Sequence, residues 1–302
     1  MAGIIGNAMR FLVTGASGLV GSQVAKDLVD LNHEVHSSYH DAKPDHGIAT
    51  YLDLSRLDDI SSTLNETRPD SIIHLAAMTG VDQCEEQPDL AMKINAEATK
   101  LLARQAAKQH AFFVYVSTDY VFDGMKKMRA ESDAPNPLGI YGKSKLAGEL
   151  ALNSLASPYA IARISSPFGL HKTKKSFPIW VKENLESGTD IPVLVDQFTS
   201  PTYVPNLSDM LIEIATRKIA GTFHTAGATR ISRYDFAEMV ADKLNLDKKF
   251  IRPASMSDMR WKAQRPKDSS LDVSFASEIL HAKPQKLETS IQLLADQLSQ
   301  IS

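Results

Sequence analysis

The 302-residue chain has one cysteine, Cys84, so it can build neither a disulfide framework nor a cysteine-rich metal site. Such scarcity suits a reducing compartment, and a cytoplasmic location is expected. No apolar run approaches the ~20 residues that a bilayer span requires. Excess charge of one sign is also missing. The net charge of −3 gives no basis for binding nucleic acid or a membrane surface. The nine histidines show no metal-ligand spacing, and no metal site is expected. Met1–Ala8 lacks a basic segment ahead of an apolar one, so it does not read as a signal peptide, and Met9 can serve as the natural start. No Ser/His/Asp or Cys/His arrangement points to a nucleophile. There is no internal repeat and no low-complexity segment. What is present is ordinary for a globular protein: 43% hydrophobic and 23% charged residues. At this size ~75% of the unfolded surface can be buried, enough for two domains or one large α/β unit.

The first half alternates short apolar runs with amphipathic helices. Strands are expected at Arg10–Thr14, Glu34–Tyr39, Ala49–Leu52, Ser71–Leu75, Phe112–Val116 and Tyr159–Arg163. Helices are expected at Leu19–Leu31, Ser55–Glu66 with Ser55 as N-cap, Pro88–Gln109 and Gly142–Asn153. Such alternation implies right-handed crossovers and a parallel sheet. The expected fold is α/β, a Rossmann-type doubly wound sheet with a smaller α+β C-terminal substrate domain. Residues 1–165 form the first domain, with 192–225 returning to it. Residues 166–191 and 226–302 form the second, which includes helices at Arg233–Leu244 and Leu287–Leu298.

Gly15-Ala-Ser-Gly18-Leu-Val-Gly21 follows a strand and opens a helix. Gly15 permits the tight turn, Gly18 lets backbone approach a pyrophosphate, and Gly21 allows close helix packing. The helix N-terminus then faces the phosphate charge. Ser17, Leu19 and Val20 belong to the same cradle. The second strand ends Tyr39-His40 with no carboxylate until Asp41, and Lys43 follows. His40 and Lys43 could meet a 2′-phosphate, so NADP is expected over NAD. Asp53 and Leu54, after the third strand, are placed to contact adenine. Tyr141 and Lys145 are four apart and share one helix face. A lysine ammonium there would pull the phenol down from its ordinary ~10 toward neutrality. Thr118 ends the fifth strand, at the carboxyl edge where such sheets bind ligands. Asn95, inside a helix that it disfavours, could kink that helix and hold a water near the lysine. His74 reads as a packed core residue, and Lys172-Thr-Lys-Lys175 as a solvated loop or a contact for a diphosphate.

Together these residues resemble the extended short-chain dehydrogenase/reductase family, and within it the dTDP-4-dehydrorhamnose reductase group. The resemblance also rests on Leu75-Ala76-Ala77, Val81-Asp82, the run Ser117–Gly124, Gly148-Glu149, Asp196-Gln197, Pro201-Thr202, Arg265-Pro266 and Ser270-Leu-Asp272. It implies that NAD(P)H reduces the C4 ketone of a nucleotide-linked 4-keto-6-deoxy sugar. Thr118 would polarise the carbonyl, Tyr141 would protonate the oxygen, and Lys145 would lower the Tyr141 pKa and hold the nicotinamide ribose. Ala76, Ala77 and Asn95 would line the cofactor site. Val121 and Phe122 would contact the sugar, and Arg265 the nucleotide end. Ser166 stands where the group carries a pocket tryptophan, so Phe168 would have to supply the aromatic wall. Gln23 stands where some members use a glutamate to bridge a dimer through Mg2+. The same motifs resemble the regulatory beta subunit of methionine adenosyltransferase, for which the partner is that enzyme's catalytic subunit. A related nucleotide-sugar epimerase is a further alternative. The helices at 88–109 and 142–153 could pair in a homodimer or simply cover the sheet.

Overall fold

The structure, a computed structural model, describes residues 8–301. Most of the Met1–Ala8 segment therefore lies outside the described residues. The first half runs β1 (Arg10–Thr14), α1 (Leu19–Asp30), β2 (Glu34–Tyr39), β3 (Ile48–Tyr51), α2 (Leu57–Thr67), β4 (Ser71–His74), α3 (Val81–Glu86) and α4 (Pro88–Met92). After a π-helical turn at Lys93–Ala98 come α5 (Thr99–Lys108), β5 (Phe112–Thr118), α6 (Ile140–Leu152) and β6 (Tyr159–Ile164). The remainder comprises β7 (Pro167–Phe168), α7 (Phe177–Glu186), β8 (Ile191–Leu194), β9 (Phe198–Thr199), β10 (Thr202–Tyr203), α8 (Val204–Arg217) and β11 (Gly221–His224). The chain closes with β12 (Ile231–Ser232), α9 (Arg233–Lys243), β13 (Ile251–Ala254), α10 (Ser274–Ile279) and α11 (Leu287–Ile301).

Seven parallel strands form the main sheet in the order β11-β6-β5-β4-β1-β2-β3. This is the doubly wound, Rossmann-type arrangement expected from the sequence. Alternation along β5 divides the core. Phe112, Val114 and Val116 face the layer with α1, α8 and α10, while Phe113 and Tyr115 face α2 and α5. Removing such side chains from water contributes about 1.5–3 kcal/mol each. The C-terminal half has its own core, with Phe168, Val181, Leu185 and Phe236 among its members.

Three boundaries differ from expectation. The segment 192–225 divides: α8 and β11 join the main sheet, whereas β8 pairs with β13 of the smaller unit. Ser55 does not cap α2. Its amide is held by Asp53 Oδ1 at 2.8 Å, and the helix begins two residues later behind Arg56. The helix expected over Pro88–Gln109 is interrupted by the π-helical turn that contains Asn95. Among the described residues no helix is long and apolar enough to cross a membrane.

Candidate active site

The parallel sheet brings its strand ends to one edge. Gly15 has φ +68°, and a Cβ there would lie 2.9 Å from the Ala76 amide nitrogen. The turn thus needs glycine to pass close to the end of β4. Thr14 ties the same two strand ends together. Its hydroxyl oxygen accepts the amides of Leu75 and Ala76 at 3.1 Å, so its proton goes to His74 Nδ1 at 2.7 Å. Burial brings His74 down to about 3, so it is neutral and donates from Nε2 to Thr99. His74 is the packed core residue expected of it. Beyond Gly18 the first turn of α1 has no side-chain cap and no acidic residue. The amides of Leu19 and Val20 are helix-terminal donors in that turn. Ala76 and Ala77 are half-buried beside it.

At the end of β2, His40 sits between Asp41 at 2.9 Å and Asp53 at 3.6 Å, and Lys43 is exposed. Tyr39 packs edge-on against Tyr51. The Leu54 side chain is buried in the core, so only its backbone is available to a ligand.

The candidate site lies between β5 and α6. Tyr141 and Lys145, four apart on α6, both lie against the end of β5. Tyr141 is hydrogen-bonded to Thr118 and packs edge-on against Tyr120. Lys145 is 3% exposed; its Nζ donates to the Val116 carbonyl at 2.8 Å and lies 4.1 Å above the Tyr115 ring. The electrostatics differ from expectation. Part of the Tyr141 ring remains at the surface, but burial around its hydroxyl pushes its pKa well above the ordinary value. The bond to Thr118 opposes that rise. Lys145 does not pull the phenol down, because burial lowers the lysine itself to about 7, with Glu149 opposing. Glu149 lies one turn beyond Lys145, accepting Ser117 Oγ at 2.5 Å and Arg163 Nη2 at 2.7 Å. This buried pair fixes α6 to β5 and β6.

Several expected contacts are not made. Asn95 lies in the π-helical turn, but both amide protons are committed to Met78 O and Ser144 Oγ at 3.0 Å. At 1% exposed, it reaches no open face of the cleft. Val121 and Phe122 are fully buried with Ala226, Leu271 and Val273, so their side chains do not face a sugar. Phe168 is fully buried between Tyr203 and Phe236 and supplies no pocket wall. Lys172 pairs with Asp45 and Lys175 with Glu183, both exposed. Gln23 bonds Asp27 within α1. Among the described residues no group of acids, histidines or cysteines could hold a metal ion.

Arg265 lies close to Tyr120. It forks onto Asp82 at 3.0 and 3.2 Å, stacks 4.1 Å over Trp261, and bonds the Tyr120 hydroxyl. Sequence reasoning missed Arg233, whose Nη2 donates to Ser166 Oγ at 3.1 Å beside Tyr120 and Asp119. Ser166, at φ +42°, thus meets a guanidinium where an indole was looked for.

The sequence profile of the RmlD substrate binding domain matches residues 9–300. The chain belongs to this family. It is 33% identical over 299 residues to the probable low-salt glycan biosynthesis reductase Agl14 of Haloferax volcanii, covering 97% of this chain and all of that protein. It is 34% identical over 275 residues to methionine adenosyltransferase 2 subunit beta of Rattus norvegicus, covering 88% and 80%. The dTDP-4-dehydrorhamnose reductase of Bacillus anthracis, solved in complex with NADP, superposes with a TM-score of 0.87 at 29% identity, covering 96% of this chain and 99% of that one. These matches support a short-chain-type, dTDP-4-dehydrorhamnose reductase-like assignment for this member of the RmlD family.

Proposed function

We propose that the protein is an NADPH-dependent reductase of a nucleotide-linked 4-keto-6-deoxy sugar, acting in the cytoplasm. The observation that carries this reading is the Thr118–Tyr141 hydrogen bond, with Lys145 buried beneath it, at the sheet edge that also bears the glycine turn. The uncapped, acid-free first turn of α1 fits a pyrophosphate, and NADP is the cofactor in the Bacillus anthracis relative. His40 and Lys43 would face its 2′-phosphate, and Lys145 its nicotinamide ribose. When bound, NADPH supplies the hydride for C4. The chain supplies the rest. Thr118 and Tyr141 direct hydroxyls at the ketone oxygen, and Tyr141 gives its proton to it. A raised Tyr141 pKa keeps that proton in place until the oxygen becomes basic. Arg265 and Arg233, on either side of Tyr120, are suited to the anionic nucleotide end.

The test is NADPH consumption with dTDP-4-keto-6-deoxy-L-lyxo-hexose. Wild type should turn over, and Tyr141→Phe should lose roughly 10²–10⁴-fold. Turnover that survives Tyr141→Phe rejects the proton donor. A second reading, an NADP-binding partner of the methionine adenosyltransferase catalytic subunit, is favoured by the 34% identity to its beta subunit. A stable complex in a pull-down with that subunit, together with no turnover of any nucleotide 4-keto sugar, would establish it. Product formed without net cofactor oxidation would point to an epimerase.

A further inference from the structure

Asp119 directly follows Thr118 and is 4% exposed, yet the reduction as described gives it no task. Its two oxygens have different partners. Oδ2 accepts the hydroxyls of Ser165 at 2.8 Å and Ser269 at 2.6 Å. Oδ1 accepts the Thr118 hydroxyl at 3.0 Å. Thr118 Oγ1 in turn accepts the Tyr120 amide at 3.2 Å. A hydroxyl has one proton and two lone pairs. With its proton on Asp119 and one lone pair on the Tyr120 amide, Thr118 has one acceptor position left, beside Tyr141. So arranged, Thr118 cannot donate to a carbonyl oxygen, which is what a ketone reduction asks of it.

We propose that Asp119 is a positioning residue that sets the direction of the Thr118 hydroxyl, an inference that rests on the reductase reading above. Ionised, Asp119 holds the Thr118 proton, and Thr118 can only accept, which suits an alcohol. Protonated, Asp119 carries its proton on Oδ1, because Oδ2 already faces two hydroxyl donors. It then donates to Thr118 Oγ1 and frees the Thr118 proton for the C4 oxygen. The ketone then receives two donors, Thr118 and Tyr141. The Tyr141 proton completes the alcohol, while Asp119 and Thr118 keep theirs. The surroundings favour the protonated form: burial raises the Asp119 pKa against the lowering pull of the three hydroxyls and Arg233. The charged and titratable groups facing it are Arg233 from α9, Tyr120 from the same turn and Tyr141 from α6. The ends of β6 and of the 268–270 segment present only serine hydroxyls.

The experiment is the pH profile of NADPH-driven reduction by the full chain. Turnover should fall as pH rises through a midpoint above the ordinary carboxylate range. Ser269→Ala removes a donor to the ionised form and should move that midpoint up by about one pH unit. Asp119→Asn should remove the limb while turnover persists. A limb that both variants leave in place overturns the proposal. A second arm needs no turnover: the ¹³C-carboxyl resonance of Asp119 is titrated by NMR in aspartate-labelled protein. Its loss in Asp119→Asn assigns it, or its loss in Asp119→Glu should the first variant fail to fold. Thr118→Val should raise its midpoint, and an unmoved midpoint would show that Thr118 does not donate to Asp119. Wild type inert toward every nucleotide 4-keto sugar defeats the reductase reading, and the NMR arm then decides the Thr118–Asp119 coupling alone.

Discussion

Lys145 opposes the stability of the fold that holds it. Burial brings its pKa from 10.5 to about 7, so below pH 7 the native state carries a charge it would rather lose. Between pH 7 and 10.5 the unfolded chain binds more protons than the native one, and stability therefore rises with pH across that window. The full difference is on the order of 5 kcal/mol. Below pH 7 both states are protonated and the cost is constant. Lys145→Met should thus stabilise the protein at pH 6, and its advantage should shrink between pH 7 and 10.5. Denaturant titrations at several pH values measure this, and parallel stability curves for the two proteins would contradict it. The loss of the Val116 hydrogen bond makes the gain smaller than the electrostatic figure. What the proposed function takes from Lys145 is its position, one helical turn from Tyr141 on the same face of α6.

That position depends on how α6 docks. At Gly148 the helix meets Tyr115 and the π-helical turn: a Cβ there would come within 2.7 Å of the Asn95 carbonyl oxygen and closer still to the Tyr115 hydroxyl. Tyr115 shares its one hydroxyl proton between that carbonyl and the Lys145 carbonyl, so the strand, the turn and the helix share one junction. Gly148→Ala should destabilise by about 1–3 kcal/mol, because the helix must move off a packed surface. Turnover should fall further than stability alone explains, since α6 carries Tyr141 and Lys145. Equal denaturation midpoints for variant and wild type would show that the junction yields freely. Much of this element was legible: the four-residue spacing set Tyr141 and Lys145 on one face, and Asn95 marked an irregular turn. The apolar site residues were not. Val121, Phe122 and Phe168 read as pocket walls, but an apolar side chain beside a strand end looks the same whether it faces a sugar or a core. Only the neighbours decide, and those come from residues as distant as Val273 for Val121 and Phe122 and Leu294 for Phe168. Phe168→Ala should accordingly act as a core truncation, costing about 3–5 kcal/mol rather than altering substrate affinity alone. Thermal unfolding beside KM distinguishes the two.

At the scale of the whole molecule, the cleft is closed by segments far apart in the chain. Asp82 at the start of α3 grips Arg265, which stacks on Trp261 and bonds Tyr120 of the turn after β5. Sequence motifs supplied both residues but not their contact, and they gave no sign of Arg233, whose partner Ser166 lies 67 positions away. The Asp82–Arg265 pair spans the two halves, yet the Asp82 side chain is 38% exposed, so solvent screens it and it should contribute at most about 1 kcal/mol to stability. In the proposed function its work is to aim the guanidinium. Asp82→Ala should therefore leave the unfolding transition nearly in place while raising KM for the nucleotide sugar several-fold and leaving kcat close to wild type. That split follows from the proposed function, in which the nucleotide end is bound alike in the ground and transition states, so that losing such binding raises KM without slowing the chemical step. Steady-state kinetics at low and high salt would measure it. A fall in kcat with KM unchanged would instead place Arg265 at the reacting end, acting through Tyr120 on the Thr118–Tyr141 pair.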